Sequence, residues 1–431
     1  MRGWARNDEV GNVMTESGEN RELKRILVVS QHFWPESFRI NDICDSFVEH
    51  GFEVDVLCGI PNYPKGQFFD GYGYFKNKRQ TVNGMKVRRC IEIKRGNNSN
   101  IRIFLNYISF PATSIFSLPY LMRQKYDKIF LFQTSPVMMS LAGILLGKLK
   151  KIETTMYVLD LWPENLYSVL NIRNRMLRKF MHSTSNWYYR NTNKLIANSQ
   201  KLMELLKERT NKEDSHIVYI PQFCEKIYET SIDDAELKAR FSETFNMVYT
   251  GNISPAQSFE TVIEAAKILK SKGYNDIAWI IVGDGMSKSW LEGEVQKGDL
   301  SDNFIFIGHV PIEEVPKYTN IADGLFACLS KIELLDATIP AKTFSYYAAG
   351  RPMALAMDGE IQQIIQESKA GYAVDTEDSA GLADAVAKLH DASEDERKAM
   401  GESAKKYYFK HFERNLNMKK LIDFMFDDGG A

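Results

Sequence analysis

Short apolar runs alternate with amphipathic stretches through the first half of the chain. The runs predict buried strands, and the amphipathic stretches between them predict helices. The predicted strands are residues 24–30, 53–58, 128–132, 153–159, 194–198 and 216–220, and the clearest predicted helices are residues 39–50 and 136–150. Because strands that alternate with helices pair in parallel, the pattern predicts one doubly wound α/β domain over residues 23–224.

A second series of the same kind follows the polar stretch 225–244, which is predicted to be a linker. It contains a predicted helix at residues 257–272 and predicted strands at residues 246–250, 277–282, 303–307 and 324–329. Residues 245–405 therefore form a second predicted doubly wound domain, and residues 406–431 complete a long C-terminal helix. Residues 1–22 are polar and lack an apolar core, so we expect them to be disordered.

Composition narrows the class of protein. A chain of 431 residues exceeds one ordinary core, which agrees with two domains. The formal charge of -2 gives no general attraction to nucleic acid. The five cysteines are scattered without ligand spacing, so we expect a reduced, cytoplasmic chain and no zinc site. The longest apolar run, residues 137–149, is too short to span a bilayer and predicts a buried helix.

An anion site is predicted where the segment 340–352, PAKTFSYYAAGRP, begins a helix. The first N–H groups of a helix lack intrahelical partners and attract anions. Lys342 adds a positive charge within that first turn, and Gly350 marks the end of the helix. Any helix of a large α/β protein needs such a start and stop, so the pattern by itself leaves both interpretations open.

This segment resembles the donor-binding segment of family 4 glycosyltransferases. The family form is Pro-Ser-Lys, a few residues, Tyr-Met-Ala-Ala-Gly-Lys/Arg-Pro, and an apolar strand that ends in Asn/Asp-Gly-Glu. Residues 158–165, VLDLWPEN, are similar to the Asp-x-Trp-Pro-Glu signature of the branch that builds bacterial O-antigens, capsules and other surface polysaccharides. The resemblance covers residues 24–424, and within the branch the chain resembles L-fucosamine-type transferases.

The resemblance implies a fold, an activity and partners. The fold is GT-B, in which two Rossmann-like domains face each other across a cleft and the C-terminal helix crosses back to the N-terminal domain. The activity is that of a hexosyltransferase or N-acetylhexosaminyltransferase that retains the anomeric configuration. It implies a UDP-sugar donor carrying an N-acetylated hexosamine or 6-deoxyhexosamine, a polyprenyl-diphosphate-linked saccharide acceptor, and no metal or other cofactor.

Residues 249–258, YTGNISPAQS, follow a predicted strand and open a helix, where backbone amides approach a diphosphate. Most family members carry an Arg and a Lys in this loop, and here those positions are Asn252 and Gln257, close to Gly251. The positive charge at the diphosphate is therefore expected from Lys342.

Two further glycine turns match the family. Gly283 lies in VGDG at residues 282–285, where Asp284 is expected to cap the next helix. Residues 307–310, IGHV, correspond to the loop that holds the nucleobase through backbone groups, here near Val310. His309 either stacks on the base or lies on the rim.

The largest departure from the family concerns two glutamates spaced eight positions apart, which are Ala337 and Ser345 here. Either the chain is a non-catalytic copy, or it belongs to a sub-branch in which Ser345 holds the ribose and another acid serves the sugar. The second hypothesis is favoured because Gly359 and Glu360 are retained after the next strand. Thr343 joins the expected donor contacts, and Glu360 has the alternative role of a charge at a helix N-terminus.

On the acceptor side, Asp160 is expected at the end of a buried strand, where it would contact the acceptor hydroxyl and serve as a base. Glu164 is more typical of a helix cap. Trp34 and Arg39 follow the first strand, and Arg39 is placed to reach a phosphate. Tyr63 lies in an aromatic turn-rich loop that suits a sugar ring, although loop packing explains it equally well. The catalytic candidates are thus Asp160, Lys342 and Glu360.

Two stretches without acidic residues, 93–126 and 171–190, combine basic residues with aromatic ones. Such helices fit the surface of an anionic bilayer, although a core-facing stripe with a solvated basic edge gives the same pattern. The resemblance favours the membrane and implies a peripheral protein on the inner face of the bacterial cytoplasmic membrane. The residues expected to face the bilayer are Ile103, Phe104, Tyr107, Ile108, Phe110, Ile115, Phe116, Met176, Phe180 and Trp187.

Three rival functions have distinct consequences. A nucleotide-sugar epimerase of the same fold would convert the donor without an acceptor. A non-catalytic partner of another transferase would bind lipid or protein without turnover. A dinucleotide-dependent dehydrogenase is disfavoured because no Gly-x-Gly-x-x-Gly follows the first strand.

Overall fold

Contacts in the computed structural model divide the described residues, which are 12–14, 20–96, 99–164, 174–331, 337 and 339–427, into two compact units. The first unit is drawn from Met1–Ala197, Met203–Val218 and Leu421–Ala431. The second is drawn from Asn198–Leu202 and Tyr219–Lys420. The chain therefore enters the second unit before residue 224, and the stretch predicted as a linker contains the helix Ala235–Arg240.

Most of residues 1–22, predicted to be disordered, lie outside the described residues. The described part of residues 1–22 forms two short antiparallel strands, β1 (Asn12–Met14) and β2 (Asn20–Glu22).

The first unit contains an eight-stranded sheet with the strand order β10-β9-β8-β7-β3-β4-β6-β5. The strands are β3 (Arg25–Val29), β4 (Glu53–Cys58), β5 (Arg79–Val82), β6 (Met85–Arg89), β7 (Lys128–Gln133), β8 (Thr154–Val158), β9 (Lys194–Ala197) and β10 (Ile217–Tyr219). Strands such as β7 are buried along their whole length, as expected for a parallel sheet covered on both faces. The doubly wound prediction for this half is confirmed.

The sequence did not predict the antiparallel hairpin at the edge of this sheet. β5 pairs antiparallel with β6, and the two strands are joined by Asn83 and Gly84, both with positive φ. Two such residues form the turn that matches the twist of a tight hairpin. The strands themselves are rich in charged residues, which hid them from a reading based on apolar runs.

Helices cover both faces of the first sheet. Among the described residues, the α-helices before residue 219 include Ile40–Glu49, Asn100–Ser114, Leu118–Leu121, Leu141–Lys150, Arg175–Arg190 and Gln200–Thr210, with 3-10 turns at Ile115–Ser117, Val137–Ser140 and Asp214–His216.

The second unit contains a six-stranded sheet that is parallel throughout, with the order β13-β12-β11-β14-β15-β16. Its strands are β11 (Phe245–Thr250), β12 (Ile277–Val282), β13 (Phe304–Gly308), β14 (Gly324–Cys328), β15 (Met353–Ala356) and β16 (Gly371–Val374). Alternate residues of β11 enter two different apolar clusters, Val248 on one face and Met247 and Tyr249 on the other. The second doubly wound prediction is also confirmed.

Strand order locates where ligands bind in each unit. β3 has β4 on one side and β7 on the other, and β11 has β12 on one side and β14 on the other. Ligands of open parallel sheets bind outside the carboxyl ends of strands at such a reversal of order. The loops after β3 and β11 are therefore the places to look for sites.

The described α-helices after residue 219 are Ala235–Arg240, Phe259–Ser271, Lys288–Lys297, Val315–Asn320, Ala341–Ala349, Glu360–Ser368, Ser379–Asp391, Glu394–Tyr407 and Arg414–Phe426. The last two of these helices replace the single long C-terminal helix that the sequence predicted. A π-helical turn at Tyr408–Phe412 separates the last two. The end of the last helix belongs to the first unit, where Phe426 stacks on Phe52 at 5.1 Å and Lys194 Nζ donates to the Phe424 carbonyl at 3.0 Å.

Candidate active site

The loops after β11, β12 and β13 are joined by backbone hydrogen bonds in the second unit. Gly251 N–H donates to the Val282 carbonyl at 2.9 Å, and Gly283 N–H donates to the Gly308 carbonyl at 2.8 Å. A Cβ at Gly283, whose φ is +151°, would lie 1.8 Å from the Gly251 carbonyl oxygen. Glycine at position 283 therefore allows the loops to approach each other, and the Gly251 amide is already used within the protein.

Lys342 lies in the first turn of the helix Ala341–Ala349 and points to the loop after β11. Its Nζ donates to the Tyr249 hydroxyl at 2.6 Å and to Gln257 Oε1, and it lies 3.5 Å from the position of a Cβ on Gly251. Of the predicted donor residues, the structure thus brings together Gly251, Gln257 and Lys342. We call this group, with Tyr249, the lysine cluster.

The lysine cluster contains a buried amine with neutral hydrogen-bond acceptors. Burial lowers the pKa of Lys342 to about 7, although the side chain keeps some exposure, and the nearby Cys328 opposes the shift. Among the residues that the structure describes, Lys342 has no ion-pair partner; its acceptors are neutral oxygens. An arriving phosphate would supply the missing negative charge and favour the protonated amine.

Tyr346 fixes the start of the helix Ala341–Ala349 against the sheet. Its hydroxyl accepts from the Thr250 N–H at 3.0 Å and donates to the Phe326 carbonyl at 3.1 Å. One side chain therefore ties the helix to two strands, at the end of β11 and in the middle of β14. The position of Lys342 is set by this connection.

Asn252 contacts the lysine cluster through its backbone, because its carbonyl accepts from the Tyr249 hydroxyl at 2.6 Å. The side chains of the remaining predicted donor residues make no hydrogen bond to the cluster within the described part of the chain. Asn252 and His309 are exposed, Val310 is half-buried, and Ser345 is buried. Thr343 is fully buried, and its hydroxyl donates to the Pro340 carbonyl at 2.7 Å, so its side chain is used within the first turn of its own helix.

The predicted cap role of Asp284 is wrong, whereas that of Glu164 stays a prediction because the residues that follow it, 165–173, lie outside the described residues. Asp284 accepts from the N–H of Gly285 at 2.8 Å within the turn, and the next helix begins later, at Lys288. Glu164 forms an ion pair with Arg209, which also donates to the Trp162 carbonyl at 3.0 Å. Both carboxylates stabilise their loops by contacts that the sequence does not reveal.

Glu360 is the first residue of the helix Glu360–Ser368, directly after Gly359, whose φ is +93°. Its carboxylate accepts from the Gln200 N–H at 2.7 Å, and Asp358 is linked to Thr376 by two hydrogen bonds. Glu360 is therefore at a helix N-terminus, as the alternative interpretation has it, and its carboxylate also binds a backbone amide.

In the first unit, Asp160 follows β8 and is half-buried. Its carboxylate accepts from the Ser135 hydroxyl at 3.4 Å, and Gln133 Nε2 donates to its backbone carbonyl at 3.2 Å. The group lies near Tyr107: burial raises the pKa of Tyr107, Arg95 opposes the rise, and the Asp160 charge adds to it. Asp160 therefore shares its surroundings with an arginine and a tyrosine.

Arg95 lies between two tyrosine rings, 5.1 Å from the ring centroid of Tyr63 and 5.3 Å from that of Tyr107. Its Nε donates to Asn106 Oδ1 at 3.3 Å. In the described part of the chain, Arg95 takes part in no ion pair. A guanidinium between aromatic faces, close to Asp160, offers both charge and stacking surface to a phosphorylated sugar.

The loop after β3 is held from within by Glu36. The buried carboxylate binds His32 Nδ1 at 2.9 Å and accepts from the N–H groups of Asn62 and Tyr63, both at 2.7 Å. Burial raises the pKa of Glu36, but His32 and the two amides lower it by more, so the net pKa is below the usual value. Tyr63 is thereby fixed, with its ring 5.7 Å from that of His32.

The predicted acceptor residues Trp34 and Arg39 lie on the same loop. Trp34 is 43% exposed, and its carbonyl accepts from Arg89 Nη2 at 2.6 Å. Arg39 is half-buried and immediately precedes the helix Ile40–Glu49.

A second buried acid lies beneath this loop. Glu92 Oε1 accepts from Gln31 Nε2 at 2.8 Å and from Asn106 Nδ2, while Oε2 has no hydrogen-bond partner in the described residues. Burial, together with the charge of Glu36, raises the pKa of Glu92 to about 7, and His32 opposes the rise. The same Asn106 that binds Glu92 also accepts from Arg95, so these buried polar residues help to hold Arg95 between the rings of Tyr63 and Tyr107.

The sequence did not predict a role in either site for six residues, which are Tyr249, Tyr346, Arg95, Tyr107, Asn106 and Glu92. The two tyrosines of the second unit read as apolar core positions, and their hydroxyl contacts depend on pairing across the sheet. Arg95 and Tyr107 were attributed to a basic stripe because residues 93–126 lack acids. Their position beside Asp160 is a consequence of the fold alone.

A family model and a curated relative match parts of this chain. Residues 233–407 match the family model described as "Glycosyl transferases group 1". The "Putative colanic acid biosynthesis glycosyl transferase WcaI" of Escherichia coli (strain K12) is 24% identical over 348 residues, which cover 76% of this chain and 81% of that protein.

Two solved structures share the fold. Sucrose-phosphate synthase from Thermosynechococcus elongatus has a TM-score of 0.73 at 14% identity, over 93% of this chain and 98% of that one. Anabaena Alr3699/HepE, solved in complex with UDP and glucose, has a TM-score of 0.68 at 12% identity, over the same shares of the two chains.

Proposed function

We propose that this chain is a group 1 glycosyltransferase of the GT-B fold in polysaccharide biosynthesis, and that it transfers a sugar from UDP to a polyprenyl-diphosphate-linked saccharide. The transferred sugar is an N-acetylated hexosamine or 6-deoxyhexosamine, in line with the sequence resemblance. The observation that carries the donor site is the lysine cluster, in which Lys342 faces the loop after β11 without an ion-pair partner among the described residues.

The donor diphosphate binds at the start of the helix Ala341–Ala349. The N–H groups of the first turn and the ammonium of Lys342 stabilise the negative charge that grows on the leaving oxygen. Tyr249 and Gln257 hold Nζ in place before the donor arrives, so little reorganisation is needed. UDP as the carrier is supported by the same-fold Anabaena protein, which was solved with UDP and glucose.

In the proposed reaction, the bond between the anomeric carbon and the diphosphate oxygen breaks, and a bond to the acceptor hydroxyl oxygen forms on the same face. The electron pair of the broken bond stays on the diphosphate, which takes the hydroxyl proton. Glu360 and Asp160 position the donor and acceptor sugars. A divalent cation is not part of this scheme, because Lys342 and the helix start neutralise the leaving group.

The acceptor binds at the carboxyl ends of the first-unit strands. Arg95 between Tyr63 and Tyr107 supports this assignment, because it offers a cation beside aromatic faces that suit sugar rings. Asp160 lies close enough to influence the pKa of Tyr107, and thus belongs to the same site. We extend the acceptor site to Trp34 and Arg39 on the neighbouring loop.

We further propose that the first unit rests on the inner face of the cytoplasmic membrane. The segment Ile101–Leu121 is apolar and long enough to cross a bilayer by length and composition, yet only 28% of its most apolar window is buried. One side carries the buried Asn106 and Phe110, and the other exposes Phe104 and Phe116. A segment with one side fixed in the protein and one apolar side exposed suits a position along the membrane surface.

A second exposed apolar group supports the same surface. In the helix Arg175–Arg190, Met176 is 83% exposed and Phe180 is 68% exposed, next to the exposed Arg175 and Lys179. The expectation that Phe110 faces the bilayer is wrong, because it is fully buried. Tyr107 is likewise turned towards Arg95 and not outward.

Titration with UDP tests the donor site. Because the pKa of Lys342 is about 7 without ligand, the amine is mostly neutral at about pH 8, and a bound diphosphate raises that pKa. Binding at about pH 8 should therefore take up close to one proton, and affinity should fall by up to about tenfold per pH unit above about 7. Calorimetry in two buffers of different ionisation enthalpy measures this uptake.

Lys342→Met is the matched variant and should bind UDP without the proton uptake and at least about tenfold more weakly. Binding of UDP by the wild type with no difference in the variant would contradict the assignment of Lys342. Absence of UDP binding, or donor conversion without an acceptor, would contradict the proposed transferase function itself.

Vesicle binding tests the membrane surface. Phe104 and Phe116 are 49% and 82% exposed, and burying each in a bilayer contributes about 2 kcal/mol. Because the two contributions add to about 4 kcal/mol, the variant Phe104→Ser/Phe116→Ser should bind vesicles of phosphatidylcholine and phosphatidylglycerol on the order of 10³-fold more weakly. The control Phe75→Ser/Phe409→Ser removes two exposed rings elsewhere and should bind as the wild type does; equal losses in both variants would contradict the proposed surface.

A further inference from the structure

The hairpin at the edge of the first sheet collects positive charge on one face. Directly paired residues lie on the same face, and the register pairs Arg79 with Arg88 and Thr81 with Lys86 across β5 and β6. Lys86 is in turn paired with Asp55 of β4. Two arginines opposite each other repel, so this arrangement needs compensation from an anion or from an aromatic surface.

A cavity of about 310 Å³ opens on this face. It is lined by Arg79, Lys86 and Arg88 together with apolar side chains of β3 and β4 and the rings of Tyr120 and Tyr126. Arg88 lies 4.5 Å from the ring centroid of Tyr120, and Arg79 lies 6.0 Å from the same centroid. We call this cavity the hairpin pocket.

The cations of the hairpin pocket are not neutralised within the described chain. None of the three forms an ion pair there, and Arg88 Nη1 is buried without a hydrogen-bond partner. The acid in the pocket wall, Asp55, already binds Arg25 Nη2 through both oxygens, at 2.9 and 2.8 Å, and accepts from the Tyr126 hydroxyl at 2.8 Å. The pocket therefore presents unused N–H donors and a net positive charge.

We infer that the hairpin pocket binds the phosphate group of an anionic phospholipid. Arginine donors match phosphate oxygens, and stacking on Tyr120 leaves the edge of the Arg88 guanidinium available for them. The source is a membrane lipid because Tyr120 and Leu121, which line the pocket, also end the exposed apolar segment Ile101–Leu121. A phosphate in this pocket lies next to the surface that we propose to contact the bilayer.

This inference rests on the proposed membrane contact and adds lipid selectivity to it. Apolar side chains bind any bilayer, whereas the hairpin pocket distinguishes an anionic phospholipid from a zwitterionic one by charge. The lipid composition of the membrane then sets how strongly the first unit binds and in which orientation.

Flotation with vesicles of two compositions tests the pocket. On vesicles of phosphatidylcholine and phosphatidylglycerol in equal parts, the variant Arg79→Gln/Arg88→Gln should bind about 10- to 30-fold more weakly than the wild type. On pure phosphatidylcholine the two should bind alike. The control Arg123→Gln/Lys125→Gln removes two exposed charges near the same segment but outside the pocket. Its affinity for the anionic vesicles should fall clearly less than that of Arg79→Gln/Arg88→Gln. Equal losses for both pairs would overturn the inference in favour of a diffuse charged surface.

A second experiment separates the pocket from membrane docking. Short-chain phosphatidylglycerol, kept monomeric in solution, should bind the wild type in a calorimetric titration and should not bind Arg79→Gln/Arg88→Gln. Inorganic phosphate should bind neither with comparable affinity; tight binding of phosphate alone would overturn the lipid as the ligand. Binding of the short-chain lipid without any vesicle binding would refute the membrane proposal and leave the pocket intact.

Folding of the variants is checked by thermal unfolding. Removing one of two opposed arginines relieves repulsion, so Arg79→Gln alone should unfold at the wild-type temperature or above it. This single variant should already weaken binding to the anionic vesicles about fivefold. Unchanged binding in a folded Arg79→Gln/Arg88→Gln protein would overturn the inference.

Discussion

Replacement of Lys342 by alanine is expected to lower kcat on the order of 10³-fold while the protein remains folded. The ammonium is the charged group that faces the proposed diphosphate, and removing one such group from a site with preorganised charge has effects of this size. Its partners Tyr249 and Gln257 are neutral and do not replace the charge. Turnover of a UDP-sugar with a lipid-linked acceptor is the measurement.

A second variant and a stability measurement serve as controls for the expected loss of turnover. Tyr249→Phe keeps the charge of Lys342 but removes one oxygen that holds its Nζ, so kcat of this variant should be about tenfold lower than that of the wild type. Thermal unfolding of the alanine variant should occur at the wild-type temperature or above it, because burial lowers the pKa of Lys342 in the folded protein. The buried lysine therefore costs stability, and this cost grows as pH falls from the ordinary value of 10.5 to about 7. A folded alanine variant with near-normal turnover would exclude Lys342 from catalysis.

Replacement of Glu36 by alanine is expected to lower the free energy of unfolding by about 3 to 5 kcal/mol. The change leaves His32 and the N–H groups of Asn62 and Tyr63 buried without their acceptor. The largest part of this cost comes from buried groups that lose their partner, not from lost attraction alone. Denaturant unfolding measures it, and the exposed Glu402→Ala is the control that should change little.

The same pair of variants gives a pH test. The pKa of Glu36 is lowered in the folded protein, so its contribution is present above the ordinary value of 4.5 and is lost as pH falls through the folded pKa. Glu36→Ala should therefore lose less stability on acidification than the wild type does. An alanine variant with wild-type stability at neutral pH would show that the loop after β3 is held by other contacts.

The order of most strands and helices could be predicted from the sequence, but the side-chain contacts between elements could not. Apolar runs located the strands of both parallel sheets because those strands are buried on both faces. The charged strands of the hairpin, Arg79–Val82 and Met85–Arg89, gave no apolar run, so the hairpin and its pocket were missed.

The candidate site shows the same division. Lys342 and Gln257 were selected by comparison with a motif, and the structure places them in contact. Tyr249, which completes the lysine cluster, was indistinguishable from a core residue because its ring is buried and only its hydroxyl acts. Glu92 had no signal at all, since a buried acid beneath a loop is recognisable only once its neighbours are known.

The position of the last helix has a consequence for how the protein is made. Phe426 covers Phe52, and Lys24 Nζ lies 4.6 Å from the centroid of the Phe426 ring, so the first unit includes residues that follow the whole second unit in the chain. During translation, the first sheet emerges long before the helix that covers this edge. The first unit therefore stays incomplete until the ribosome has released the last helix. A gene fragment that ends at residue 218 encodes a first unit without the helix segment that packs on Phe52.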